Sequence, residues 1–336
     1  MPRTYWIIAI SLGAVVVAVA ITLLVIWFPA SSPGWLLARR AGSAVDQRFT
    51  VRSGETISVI ADNLKAAGLI RSAWGFKLYL KLSGKVIVQP GLYQLSPAYP
   101  LPRVANIIAS GSTANVTVTI PEGYTLAQII DTLVAKEVAV ATEFTAALKD
   151  FAPDYEFFKS KPADKSLEGF MFPDTYRLIK GEPTEAIRMM LDNFGVKYKD
   201  EIKPRLGDKN LYEVMIIASL VEKEAKTQTD REQITAVLYN RLEAGMRLDV
   251  DATVRYAIND WKKALTKEDL SIDSPYNTRR VSGLPPTPIC NPGLAAIKAA
   301  LNPPDSDYYY YLTDYDGITH YAKTLKEHTD NKLKYL

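Results

Sequence analysis

An uncharged apolar run near the amino terminus constrains this chain more than any other feature. Residues 7–28 include no charged side chain, and a helix of these 22 residues rises ~33 Å, about the thickness of a bilayer's hydrocarbon core. Trp6 and Trp27 lie at its two ends, where membrane interfaces favour aromatic rings. A cleaved signal peptide is the alternative, but its apolar region spans only ~7–15 residues. The run therefore predicts an uncleaved, single-pass membrane anchor.

Charged residues around the apolar run leave its orientation open. Arg3 precedes the run, whereas four arginines follow it between residues 39 and 52. Because cytoplasmic flanks are enriched in Lys and Arg, this count alone does not favour export of the large carboxyl-terminal part. Residues 29–46 include several Ser, Pro, Gly and Ala residues and are predicted to form a tether.

Composition excludes several classes of protein. A chain of 336 residues with 48% apolar residues is long enough for two or three domains with a sizeable core. A net charge of +3 gives no reason to expect nucleic-acid binding. A single cysteine, Cys290, excludes an internal disulfide framework, and two histidines, His320 and His328, are too few for a multi-histidine metal centre. We therefore expect no metal and no cofactor, and chemistry based on carboxylates, hydroxyls or amides.

A weak internal repeat follows the tether at an offset of 69 residues. Residues 49–64 align with residues 118–133, and each copy is typical of a strand, a Gly turn and a helix opened by Thr56 or Thr125. The first copy resembles a LysM module, a small βααβ unit that often binds N-acetylated glycans. Any strand–Gly–Thr–helix unit gives the same pattern, so glycan affinity stays open. From about Thr142 the pattern changes to longer helices, and we predict an α+β fold.

The segment 214–226 carries the most informative carboxylates. We predict a helix from Asn210 to about Lys226, with one apolar stripe that ends between Glu222 and Glu224. At 100° per residue these two glutamates lie on opposite margins of the stripe. A carboxylate at such a margin is partly desolvated, which raises its pKa towards neutrality. The helical pattern does not choose between them, and a solvated helix end is the alternative.

Polar and aromatic residues farther along the chain could complete a site. A second helix, which we expect to begin with a capping box of Thr229 and Glu232 and to end at Gly245, supplies Asn240. Tyr276 and Asn277 offer an aromatic face and an amide, groups that grip sugar rings and N-acetyl groups. Residues 283–293 are dense in Pro and Gly, which is typical of a stiff loop.

Together these segments resemble the endolytic murein transglycosylase family, also called MltG or YceG-like. The motifs, in family order, are Glu-Gly-Phe at 168–170, Phe-Pro-Asp-Thr at 172–175, Ala-Ser-Leu-Val-Glu-Lys-Glu at 218–224, Asn-Arg-Leu at 240–242, Gly-Met-Arg-Leu at 245–248, Tyr-Asn-Thr at 276–278, Gly-Leu-Pro-Pro at 283–286 and the late His320. Two departures are visible. Ala225 follows the second glutamate where many lytic transglycosylases have Ser or Thr, and Ala252 stands where the family pattern has Pro.

The resemblance implies an activity and a site. It implies an enzyme, a lytic transglycosylase that cleaves the MurNAc–GlcNAc β-1,4 bond of peptidoglycan and leaves 1,6-anhydro-MurNAc ends. It makes Glu224 the catalytic residue. From their side chains we expect Asn240, Tyr276 and Asn277 to bind the substrate, by holding the sugar and its acetamido group. The alternatives are a lysozyme-like hydrolase with Asp249 or Asp251 as second carboxylate, and a non-enzymatic wall-binding membrane scaffold.

The resemblance also implies a location and a domain plan. The family is single-pass with its catalytic part outside the cytoplasmic membrane, so we expect export despite the arginine count. The expected plan is a cytoplasmic tail at 1–6, an anchor at 7–28, a tether at 29–46, a LysM-like and linking αβ region at 47–140, and a mainly helical catalytic domain at 141–336. Expected partners are peptidoglycan strands, the membrane and peptidoglycan synthases, for which the enzyme would terminate nascent strands.

Overall fold

A computed structural model of the protein describes residues 47–52, 54–84, 88–111, 115–151 and 154–336. The predicted anchor and tether lie outside these residues. Within the described ranges, no helix has both the length and the apolar character needed to cross a bilayer. The chain divides into two compact units between Asn115 and Val116. The predicted domain limits at 140 and 141 stay a prediction.

The first unit combines a strand pair with three helices. Its elements are β1 (Gln47–Val51), α1 (Ile57–Ala66), α2 (Ala73–Leu82), β2 (Gly91–Leu95) and α3 (Leu101–Ser110). The two strands pair antiparallel, with Phe49 opposite Tyr93, and both aromatic side chains are buried among apolar residues of the helices. The order of its first four elements is strand, helix, helix, strand. The resemblance of this unit to a LysM module stays a prediction.

The internal repeat corresponds to a repeated local structure. All but the first residue of β3 (Asn115–Thr119) belong to the second unit, and α4 (Leu126–Ala135) follows. Helices α1 and α4 start 69 residues apart. In both copies a threonine caps the helix, because the hydroxyls of Thr56 and Thr125 accept the backbone N–H of the third helical residue. The copies differ in their strand partners, since β1 pairs with β2 and β3 pairs with β4.

Helices dominate the second unit, as the sequence predicted. Its further helices are α5 (Ala141–Asp150), α6 (Pro183–Lys197), α7 (Lys203–Leu206), α8 (Leu211–Glu224), α9 (Gln228–Glu243), α10 (Asp251–Ile258), α11 (Lys267–Leu270), α12 (Leu294–Leu301) and α13 (Leu325–Tyr335). Its further strands are β4 (Thr175–Ile179), β5 (Tyr310–Thr313) and β6 (Thr319–Ala322). The described residues hold three two-stranded sheets, so the protein is a helix-rich α+β protein.

Helix α8 lies at the centre of the second unit and packs against α9, α10 and α12. The sequence predicted a single apolar stripe, but ten of its 14 residues are buried. Met215, Ile216 and Leu220, which lie outside the predicted stripe, are each at most 4% exposed. A helix that is apolar all round is a core helix. The core therefore fixes α8 from several sides and holds its carboxyl-terminal end in place.

The end of α8 and the start of α9 differ in detail from the prediction. Asn210 caps its start by accepting the backbone N–H of Tyr212, but the helix ends at Glu224 and not at Lys226. The capping box of α9 also lies two residues earlier than predicted. Thr227 and Asp230 form it, because Asp230 lies three residues after Thr227 and accepts both its N–H and its hydroxyl.

Gly169 joins the Glu-Gly-Phe segment to the Pro-rich loop. Its φ of +93° lies in the region that favours glycine. A Cβ atom built on Gly169 would also lie 2.6 Å from a side-chain carbon of Pro288. The backbone of this segment therefore approaches the loop more closely than any other residue type would allow.

Gly169→Ala tests this approach, with Gly283→Ala as its control. Gly283 has a similar φ of +87°, but no atom lies within 4 Å of the position that a Cβ would take there, so alanine at this site adds backbone strain alone. We expect Gly169→Ala to lose about 1–3 kcal/mol more of the free energy of unfolding than Gly283→Ala, because it also overpacks the loop. Equal losses in urea unfolding would contradict the packing argument.

Candidate active site

Glu224 is the last residue of α8, and its partly buried carboxylate accepts two hydrogen bonds. The hydroxyl of Tyr311 on β5 donates to its Oε2 over 3.2 Å. The backbone N–H of Ala252, in the first turn of α10, also donates to the carboxylate. The family pattern has proline at the position of Ala252. Proline has no N–H, so this hydrogen bond depends on the alanine.

The surroundings of Glu224 raise its pKa from the ordinary value to about 7. Burial is the largest cause, because it disfavours the charged form, and the negative charge of Asp251 adds to it. The hydrogen bonds from Tyr311 and Ala252 and the charge of Arg255 act in the opposite direction. Near neutral pH both protonation states are accessible, so this carboxyl can give a proton and take one back.

Glu222 points away from Glu224, as the helical spacing predicted. Its Oε2 accepts the backbone N–H of Gly293 over 3.1 Å, at the start of α12. Burial raises its pKa as well, and Glu122 contributes in the same direction. Between the two glutamates, the ammonium group of Lys223 lies 3.9 Å from the centre of the Trp261 ring. The two carboxylates thus belong to separate environments on opposite sides of α8.

Glu168 is a buried carboxylate to which sequence reasoning gave no role. It is 3% exposed and accepts the backbone N–H of Leu126 at 2.9 Å, the amide of Asn291 at 2.9 Å and the hydroxyl of Tyr256 at 3.2 Å. Burial raises its pKa to about 7. It ties the start of α4 to α10 and to the Pro-rich loop. The sequence does indicate a buried carboxylate here, because Glu168 directly precedes Gly169 in an apolar, aromatic segment.

The two aspartates near the start of α10 are each paired with an arginine. Asp251 contacts Arg279 at 2.6 Å and Asp249 contacts Arg241 at 3.2 Å. Arg241 is buried and also donates to the carbonyl of Tyr309, just before β5. These pairs hold α9, β5 and the start of α10 around the end of α8.

Asn240 and Asn277 use their amides within the protein. Nδ2 of Asn240 donates to the carbonyls of Ser306 and Tyr308 at 2.7 and 2.9 Å, which positions the approach to β5 and hence Tyr311. Asn277 is fully buried, and its Nδ2 donates to two backbone carbonyls of the segment before it. The structure gives both amides a positioning role, and their predicted contact with substrate stays a prediction.

Tyr276 differs from the two asparagines because its ring is partly exposed. Its hydroxyl hydrogen-bonds with Thr287 at 2.9 Å. Its ring contacts the ring of Tyr256 with centroids 4.9 Å apart, and Tyr256 contacts Glu168. Tyr276 can therefore present an aromatic surface held by the same network that holds Glu168.

His320 belongs to a separate ion pair near the turn between β5 and β6. His320 pairs with Asp314 at 2.7 Å and stacks on Tyr335. Within the described part of the chain, no cluster of His, Cys, Asp and Glu is arranged to hold a metal ion. Glu224 itself is a titrating carboxyl group that accepts hydrogen bonds from β5 and α10.

Comparison with known proteins gives consistent results. The YceG-like family model matches residues 49–334. A Bacillus subtilis protein named endolytic murein transglycosylase is 35% identical over 306 residues, covering 86% of this chain and 84% of that protein. A Streptococcus pneumoniae protein of the same name is 30% identical over 85% of this chain, which spans only 58% of its length. A crystal structure of a YceG-like protein from Listeria monocytogenes is 32% identical with a TM-score of 0.58, covering 85% of this chain and 98% of that chain.

The raised pKa of Glu224 predicts a pH-dependent gain in stability for Glu224→Gln. A carboxyl group whose folded pKa is above its unfolded pKa favours folding below the unfolded value and loses that contribution as pH rises to the folded value. For Glu224 this contribution to stability is lost between pH 4.5 and about pH 7. Glutamine keeps the acceptor for Tyr311 without the charge, so the variant should be more stable by up to about 3 kcal/mol at pH 8.

The free energy of unfolding, measured by urea titration from pH 4 to pH 8, checks this expectation. The curves of Glu224→Gln and the wild type should meet near pH 4 and separate as pH rises. Glu213→Gln is the control, since Glu213 is exposed in the first turn of the same helix and should change stability by under about 0.5 kcal/mol throughout. A constant or reversed difference for Glu224→Gln would show that its carboxyl is not forced towards the neutral form.

Proposed function

The chain belongs to the YceG-like family, and from that premise we propose that it is an endolytic murein transglycosylase acting on the glycan strands of peptidoglycan. The observation that carries the proposal is the environment of Glu224. Its carboxyl is partly buried, has a pKa of about 7 and is held by donors from β5 and α10. One such group suffices for a reaction that needs an acid first and a base afterwards.

In the first step Glu224 acts as the acid. The protonated carboxyl donates to the glycosidic oxygen between MurNAc and GlcNAc. The bond between C1 of MurNAc and that oxygen breaks, the GlcNAc part leaves as an alcohol, and positive charge develops on the MurNAc ring. The negative charge of Asp251 helps to keep the proton on Glu224 until substrate arrives.

In the second step the same carboxylate acts as the base. It takes the proton from the C6 hydroxyl of the same MurNAc unit, and the C6 oxygen bonds to C1 to close a 1,6-anhydro ring. Glu224 thereby regains its proton and the cycle balances without water. Because the nucleophile belongs to the bound sugar, no second reactant has to be recruited and oriented.

Neighbours of Glu224 support both steps. The hydroxyl of Tyr311 and the N–H of Ala252 stabilise the carboxylate that exists between the two proton transfers. Tyr276 offers a partly exposed ring for a sugar face, whereas Asn240 and Asn277 contribute through the segments that they hold, with direct contact to the acetamido group as a further expectation.

The location belongs to the same proposal. Residues 7–28 anchor the chain as a single-pass protein of the cytoplasmic membrane, with the catalytic part on the outer, periplasmic side. The LysM-like first unit would add affinity for wall glycan, and peptidoglycan synthases would supply the nascent strands that the enzyme terminates. The uncharged apolar run and the family membership support this arrangement.

Digestion of purified peptidoglycan tests the reaction type. We expect products with 1,6-anhydro ends, which are about 18 Da lighter than the reducing ends of a hydrolase because no water is added. Mass spectrometry separates the two. Reducing ends would instead favour a lysozyme-like hydrolase with Asp249 or Asp251 as second carboxylate, and wall binding without cleavage would favour a scaffold.

Matched glutamine variants test the choice of glutamate. Glu224→Gln should lower the turnover about 10²–10⁴-fold, the range expected on loss of a general acid–base group. Glu222→Gln should keep most of the activity, because glutamine can still accept the N–H of Gly293. A fully active Glu224→Gln together with an inactive Glu222→Gln would transfer the role to the other glutamate.

A further inference from the structure

Positive charge is concentrated in the first unit. Residues 47–115 include eight Lys and Arg but two Asp and Glu, whereas residues 116–336 include 29 basic and 34 acidic residues. The net charge of +3 for the whole chain conceals this asymmetry. Such a distribution favours a polyanion as partner of the first unit alone.

Helix α2 presents apolar side chains away from the core of the first unit. Its buried face includes Phe76 and Leu80, which are 0% and 1% exposed. On the opposite side Trp74 is 68% exposed and Leu82 is 53% exposed. Tryptophan is highly buried on average, and apolar side chains grouped at a surface mark interaction sites.

Lysines lie on the same side of α2 as Trp74. Residues 74, 77 and 81 are three and four apart, and this spacing places them on one helical face. Lys81 is exposed and Lys77 is partly exposed. We refer to Trp74, Lys77, Lys81 and Leu82 as the outward face of α2. It combines an amphipathic ring, an aliphatic side chain and two flexible cations within slightly more than two helical turns.

This combination fits the interface of an anionic bilayer. The Trp ring prefers the headgroup level, where its apolar body and its N–H are both satisfied. Lysine stems lie along apolar surface while their ammonium groups reach the phosphates. Each basic residue near an anionic surface strengthens binding about fivefold. A free anionic polymer would use the lysines but leaves the exposed Trp and Leu side chains without an apolar partner.

We propose that the outward face of α2 docks on the surface of an anionic lipid bilayer. The inference rests on the anchor in the proposed function, because the anchor supplies proximity. The 18 residues between the apolar run and β1 can span at most ~60 Å. At the resulting high effective concentration, weak surface affinity is sufficient to keep α2 docked.

Quenching by brominated acyl chains tests the docking in the full chain. The protein is reconstituted in nanodiscs of phosphatidylcholine alone or mixed with phosphatidylglycerol. Subtracting the fluorescence of Trp74→Phe isolates the signal of Trp74 from the other four Trp residues of the chain. We expect Trp74 to be quenched in anionic nanodiscs and much less in zwitterionic ones. Salt at about 0.5 M should screen the attraction and relieve the quenching.

Charge variants separate docking from general attraction. Lys77→Glu with Lys81→Glu should lower the ratio of docked to undocked chain at least about 25-fold, taking about fivefold for each lysine. Lys332→Glu with Lys334→Glu is the matched control, since it makes the same change in net charge on exposed residues of α13. The control pair should leave the quenching of Trp74 unchanged.

Three results would overturn the inference. The first is quenching of Trp74 that does not depend on lipid charge, and the second is an equal effect of the two variant pairs on that quenching. The third is a change in Trp74 fluorescence on adding purified wall glycan without lipid. A chain that does not stay with the nanodiscs would refute the anchor and this inference together. Glycan cleavage is measured separately, so failure of the docking leaves the proposed enzymatic activity intact.

Discussion

The partial burial of the Glu224 carboxyl at the end of a core helix is the interaction on which the rest of the site depends. Removing a carboxylate from water disfavours its charged form, and here the pKa rises to about 7. That position is fixed because α8 is buried on several sides. Tyr311 and Ala252 then donate from two different elements, so the group is both destabilised as an anion and held in one place.

Buried and partly buried polar residues around the site act mainly by holding segments in position. Arg241 and Asn240 on α9 bind backbone carbonyls next to β5, and β5 carries Tyr311. Glu168 joins α4, α10 and the Pro-rich loop. Each of these groups would be costly to leave unpaired in the interior, so their hydrogen bonds specify one arrangement of loops around α8.

Local patterns in the sequence predicted the local structure well. The spacing of Glu222 and Glu224 predicted that they diverge, and the threonines of the repeat predicted two capped helices. The all-round burial of α8 escaped prediction, because helical periodicity reports one apolar face and not the number of neighbours. The roles of Glu168 and Tyr311 also escaped it, since their contacts join residues 42 and 87 positions apart. The family resemblance, and not the helix, selected Glu224.

The pH dependence of kcat/KM for anhydro-product formation tests the central claim, that protonated Glu224 is the acid. In the wild type kcat/KM should fall as pH rises above about 7. Asp251→Asn should move this fall to lower pH, because it removes a negative charge that raises the pKa of Glu224. Asp249→Asn, whose partner is Arg241, is the control. A descending limb that Asp251→Asn leaves in place, or moves to higher pH, would contradict the account.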